Sequence, residues 1–133
     1  MEYVGSCLCS AVRYKIEGDI GEILQCHCQR CRKTTGSAFA VVAPVHRAQF
    51  KFLQGESCIK KFQSTAITQR WFCSECGSPI VSLREDMPEY FRLRVGTLDT
   101  ILSQRPAKHI FVASKAEWEC IYDDLPQYAE RPE

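Results

Sequence analysis

The chain has 133 residues, 45% of them hydrophobic and 25% charged, with a formal net charge of +1 at pH 7. A chain of this length buries about two-thirds of its unfolded surface as one domain, 1–133, so its core needs no covalent staples. Near-neutral charge without a long run of either sign argues against nucleic acid or an anionic membrane as partner. The start, Met1-Glu2-Tyr3-Val4-Gly5-Ser6, lacks the pattern of a secretory signal, and the expected location is the cytoplasm.

From Ala11 to Glu17, Val12, Tyr14 and Ile16 alternate with Arg13, Lys15 and Glu17, the two-residue period of a half-buried strand. Gly18-Asp19-Ile20-Gly21 then turns, and Ile23 to Gln25 reads as a short strand leading into Cys26-His27-Cys28-Gln29-Arg30-Cys31. Arg30 to Lys33 follows as one helical turn ended by Gly36. The apolar run Ala38 to Ala43, bounded by Gly36 and Pro44, predicts a strand buried on both faces at the centre of a sheet.

Lys51–Leu53 and Ile59–Phe62 read as a hairpin around Gln54-Gly55-Glu56, and Gln69 to Phe72 leads into Cys73-Ser74-Glu75-Cys76. Gly77 supplies the left-handed backbone that such knuckles use, and Ile80 to Leu83 leaves as the second arm of a ribbon-like hairpin. Phe91, Leu93 and Val95 alternate with Arg92 and Arg94 up to Gly96, and Ile110 to Val112 is the expected last strand. The polar tail from Asp123 to Glu133 is expected to wrap the surface or fray. The fold class is mainly β, with few short helical turns.

Nine cysteines dominate the chemistry. Seven fall in compact groups: Cys7 and Cys9, the triplet Cys26, Cys28 and Cys31, and Cys73 and Cys76. Clustered thiols suit a metal, which draws several sulfurs to one point, better than disulfides, which need specific pairwise geometry. Structural zinc is closed by four protein ligands, whereas catalytic zinc keeps three and an open position. The two pairs, Cys7, Cys9, Cys73 and Cys76, together make a four-thiolate site, and the triplet makes a second site with room for an outside ligand. Alternatively His27 or His109 closes the triplet as another structural site.

The sequence resembles the glutathione-dependent formaldehyde-activating enzyme family, also called centromere-protein-V-like. The resemblance runs from Gly5-Ser6-Cys7-Leu8-Cys9 through Cys26 to Lys33 with Gly36-Ser37-Ala38-Phe39, then Phe72 to Pro79. It extends over Val95-Gly96-Thr97-Leu98-Asp99, Lys108-His109-Ile110 and Ser114 to Trp118 with Leu125-Pro126. It implies several coiled antiparallel β-sheets around zinc knuckles, a fold shared with methionine-R-sulfoxide reductases, and the same division of cysteines between two zinc ions. It also implies a carbon-sulfur lyase that adds glutathione to formaldehyde, so that the partners are a small thiol and a small aldehyde.

Three thiolates leave a zinc site with net charge −1, a poor acidifier of water but a soft site for an incoming thiol. Arg30, Arg32 and Lys33, within a turn of the triplet, are candidates for the glutathione carboxylates, or they offset thiolate charge. Arg92 and Arg94 form a second candidate patch, read as a solvated sheet face. His27, expected to point outward, and His109 are candidate proton donors. Cys58 and Cys120 read as small buried apolar residues, and Trp71, Phe72 and Trp118 as core. Two other functions compete: a zinc-stabilised binding module, and a thiol oxidoreductase using Cys58 or Cys120.

Overall fold

The computed structural model describes residues 1–132 as ten strands, one α-helix and short 3₁₀ turns. A small sheet has the order β1 (Glu2–Ser6), β2 (Arg13–Glu17), β5 (Phe50–Gln54), antiparallel throughout. A seven-stranded sheet has the order β10 (Lys108–Ile110), β3 (Leu24–Cys26), β4 (Ala40–His46), β9 (Tyr90–Arg94), β8 (Pro79–Arg84), β7 (Thr68–Cys73), β6 (Ile59–Gln63). Its pairs are antiparallel except β10 with β3, which run parallel.

The two-residue period decides which face each side chain takes. Tyr3, Tyr14, Ile16 and Phe50 of the small sheet pack against Ala43, Val45, Trp71, Val81, Leu83, Phe91 and Leu93 of the large one, forming the main core. Phe50 stacks on Tyr14 at 4.8 Å and meets Phe91 edge-on at 5.3 Å. The other face of the large sheet carries a second, smaller cluster of Cys26, Cys31, Ala40, Val42 and Ile110. The cysteine triplet is therefore built on the side of the sheet away from the main core.

Several sequence expectations need correction. Residues 51–53 and 59–62 do not form a hairpin: β5 pairs with β2 and β6 with β7, in different sheets. Gly55 has φ +76°, and a 3₁₀ turn over Glu56–Cys58 sends the chain across instead of back. Strand β4 runs through Pro44 and lies one place off the sheet's centre. The proline fits because β3 pairing ends at Val42; past that point Gly21 N–H donates to the Pro44 carbonyl at 2.8 Å. Strand β1 had no counterpart in the sequence reading, and the last strand lies two residues earlier than expected.

Residues 123–130 do not fray: they return along β10. His109 N–H donates to the Pro126 carbonyl at 2.9 Å, and Tyr128 N–H donates to the His109 carbonyl at 3.0 Å. Trp71 is core, but Trp118 is 63% exposed and Cys120 is also exposed, because residues 117–122 run over the surface. Cys58 packs against the main core but is only half-buried, not buried as expected. No helix among the described residues is long and apolar enough to cross a membrane.

Candidate metal centres

The first cysteine group joins two tight turns. One follows β1, where Ser10 N–H donates to the Cys7 carbonyl at 3.0 Å and Val12 N–H to Cys7 Sγ at 3.2 Å. The other follows β7, where Gly77, in the left-handed region at φ +80°, donates its N–H to the Cys73 carbonyl at 2.8 Å. The Ser78 hydroxyl links the turns: it accepts Leu8 N–H at 3.0 Å and sits 3.2 Å from Cys76 Sγ. Cys7, Cys9, Cys73 and Cys76 thereby bring their sulfurs within 4.8 Å of one another.

The separations Cys7 to Cys9, 3.6 Å, and Cys9 to Cys73, 3.8 Å, match the edge of about 3.8 Å that a tetrahedron with zinc–sulfur bonds of about 2.3 Å requires. Backbone N–H groups aimed at sulfur stabilise thiolate over thiol. The donor set therefore fits zinc.

The second group spans a strand end and a helix start. Cys26 is the last residue of β3, Cys28 is the N-cap of α1 (Gln29–Thr35), and Cys31 lies in its first turn, so a short segment folds three sulfurs to within 4.8 Å. Cys28 Sγ accepts Cys31 N–H at 3.3 Å. Gly36, with φ +70°, closes the helix as expected by donating to the Arg32 carbonyl at 2.7 Å. No fourth His, Cys, Asp or Glu among the described residues joins this group; neither His27 nor His109 is a member. Hydrogen bonds from Cys26 and Cys31 lower the Cys28 thiol below its ordinary range.

His27 points inward, not outward: it is fully buried. Its Nε2 lies 2.8 Å from His109 Nδ1, and His109 Nε2 lies 3.0 Å from Asp123 Oδ2. The carboxylate takes the His109 Nε2–H, so His109 Nδ1 is an acceptor and His27 Nε2 the donor; His27 Nδ1 is left as a buried acceptor without a partner. Neither Asp123 nor this relay was legible in the sequence, since 82 positions separate the two rings.

Arg30 and Lys33 are exposed, and Arg32 Nη2 donates to the Ser114 carbonyl at 3.2 Å. Arg92 and Arg94 are not a solvated face. The register Arg70, Ser82, Arg92 across β7, β8 and β9 places their side chains on the same side of the sheet as the triplet cluster, and Arg94 is buried. Burial lowers Arg92 to about 10. Arg70, not singled out by the sequence reading, also acts on the triplet through its charge.

Comparison with known proteins agrees with this geometry. The profile of the family described as glutathione-dependent formaldehyde-activating enzyme matches residues 2–114. A Halomonas elongata protein named "Putative glutathione-dependent formaldehyde-activating enzyme" is 26% identical over 86% of this chain and 77% of its own. An uncharacterised lyase of Schizosaccharomyces pombe is 29% identical over 59% of this chain and 56% of its own. An Aspergillus flavus relative with the same name as the Halomonas protein is 30% identical over 54% of this chain but only 39% of its own length. A crystal structure of a Rhodobacter sphaeroides protein superposes with a TM-score of 0.64 at 23% identity, covering 75% of this chain and 91% of that one, which shows the shared fold. The chain belongs to the glutathione-dependent formaldehyde-activating enzyme family.

Proposed function

We propose that the chain, as one unit over 1–133, is a zinc-dependent carbon-sulfur lyase that condenses glutathione or a similar thiol with formaldehyde or another small aldehyde. The observation that carries this reading is the triplet: three sulfurs converge, and no fourth side chain among the described residues closes the set. Cys7, Cys9, Cys73 and Cys76 would hold a structural zinc, and Cys26, Cys28 and Cys31 a second one.

A zinc ion on three thiolates supplies a soft, incompletely saturated cation at which an added thiol loses its proton readily. The chain's own residues do the rest. Cys26 and Cys31 are buried and Cys28 is half-buried, so one side of the group remains approachable while the other is closed to water. The reaction joins the thiol sulfur to the aldehyde carbon, and the thiol proton ends on the former carbonyl oxygen. His27, next to Cys26 in the chain, is the candidate to carry that proton in transit, with His109 and Asp123 fixing its tautomer. Cationic side chains near the group would hold the carboxylates of glutathione.

Cys28→Ser tests the reading. The expected variant is folded, carries one zinc fewer, and speeds the approach of glutathione and formaldehyde to equilibrium no more than buffer does. Exchange NMR measures that rate while accounting for the unaided reaction. An unchanged rate would contradict the proposal.

A further inference from the structure

Arg94 and Arg70 converge beside the triplet without an acidic partner. Arg94 is only 6% exposed; it donates to Thr35 Oγ1 at 2.9 Å and to Thr34 Oγ1 at 3.2 Å, while its buried Nε has no partner. Arg70 Nη1 lies 3.5 Å from the same Thr34 hydroxyl, and its Nε donates to Ser64 Oγ at 3.1 Å. The ion pairs among the described residues leave both guanidiniums without a carboxylate. Two like charges meeting at one neutral oxygen, one of them buried, call for a nearby anion.

The thiolates of the triplet supply part of that charge. Thr34 lies three residues after Cys31 on α1 and donates its hydroxyl to the Cys31 carbonyl at 3.2 Å, so the arginine pair sits one helical turn from a metal ligand. Charge balance alone does not explain the shape of the site. Arg70, Arg94 and Thr34 line a cleft of about 270 Å³ whose remaining walls include Phe62, Trp71, Phe72 and Val81. Apolar walls with a few convergent fork donors suit an organic acid better than a bare inorganic ion.

From this geometry we infer that Arg70 and Arg94, meeting at Thr34, bind a carboxylate of the thiol co-substrate inside this cleft. The inference rests on the function proposed above and locates the substrate's acid group on the sheet, in place of the exposed Arg30 and Lys33. One turn of helix separates the subsite from Cys31, a span that a short peptide covers between its sulfur and its terminus, at about 3.3 to 3.6 Å per extended residue.

Calorimetric titration of the zinc-loaded full chain with reduced glutathione, and with its diethyl ester, tests this directly. The ester keeps the thiol and amine but masks both carboxylates. The expected result is that the acid binds at least about tenfold more tightly than the ester. Arg70→Ala, at a half-buried position, should remove most of that preference while leaving ester affinity within about twofold and zinc content unchanged. Arg94→Lys, which keeps the charge but loses the fork, should reduce the preference in the same direction. Equal affinity of the wild type for acid and ester would overturn the inference alone. So would an Arg70→Ala protein that loses affinity for both alike, since the arginines would then serve only the thiolate charge. Failure of both forms to bind the wild type would overturn the glutathione reading itself, and this assignment with it.

Discussion

Cys9 and Cys73 are 64 positions apart in the chain, yet their sulfurs lie 3.8 Å from each other, one on the turn after the first strand and the other on the last residue of the seventh. A metal at this point ties the small sheet to the far part of the large one. Cys73→Ser is therefore expected to unfold the protein, because a structural zinc contributes about 10 to 16 kcal/mol in apparent terms, more than most domains have in reserve. Circular dichroism and metal content check this, and the contrast with a folded Cys28→Ser protein distinguishes the two groups.

Gly55→Ala should destabilise the fold by about 2 to 4 kcal/mol, read from denaturant midpoints. The added Cβ would meet the Ala11 carbonyl oxygen at 2.0 Å, and φ of +76° disfavours any side chain there. Both effects act at the crossing that carries the chain from one sheet to the other.

Removing residues 123–133 should lower the melting temperature by on the order of 10 °C. The loss includes the backbone bonds of Pro126 and Tyr128 to His109 and of Phe111 N–H to the Glu130 carbonyl at 3.0 Å, together with the Asp123 contact to His109. Differential scanning calorimetry of the shortened, zinc-loaded chain measures the effect.

Stability should fall as pH rises above about 10, and Tyr14→Phe should flatten that fall. Tyr14 is fully buried, and burial raises its pKa above the unfolded value; its hydroxyl lies 2.6 Å from Thr97 Oγ1. The folded state thus keeps the proton that the unfolded chain gives up. The stabilisation is complete below the unfolded pKa and is lost as pH climbs toward the folded one. Urea unfolding between pH 8 and 11 compares the two proteins.

What the sequence could and could not reveal follows from contact range. Cys73, Cys76 and Gly77, or Cys26, Cys28 and Cys31 with Gly36, are local patterns whose spacing already specifies a turn, and both appear as expected. Residues 51–62 looked like a hairpin because strand and turn signals alternate there. Which strand each one joins depends on distant partners, β2 and β7, that no local pattern encodes. Arg92 and Arg94 alternate with core residues as a solvated face would. Only helix α1 and the β3 end lying over that face turn it into the wall of a site. His27 was expected outward because it sits inside a ligand turn, and the partner that draws it inward, His109, comes from the far end of the chain.

Zinc K-edge X-ray absorption on the fully loaded protein tests the open triplet most directly. One four-sulfur and one three-sulfur group give an average of about 3.5 sulfurs per zinc, with a light atom in the remaining half position, rising to about 4 when glutathione is added. Two zinc ions per chain already saturated by protein ligands, with no change on adding glutathione, would contradict the account.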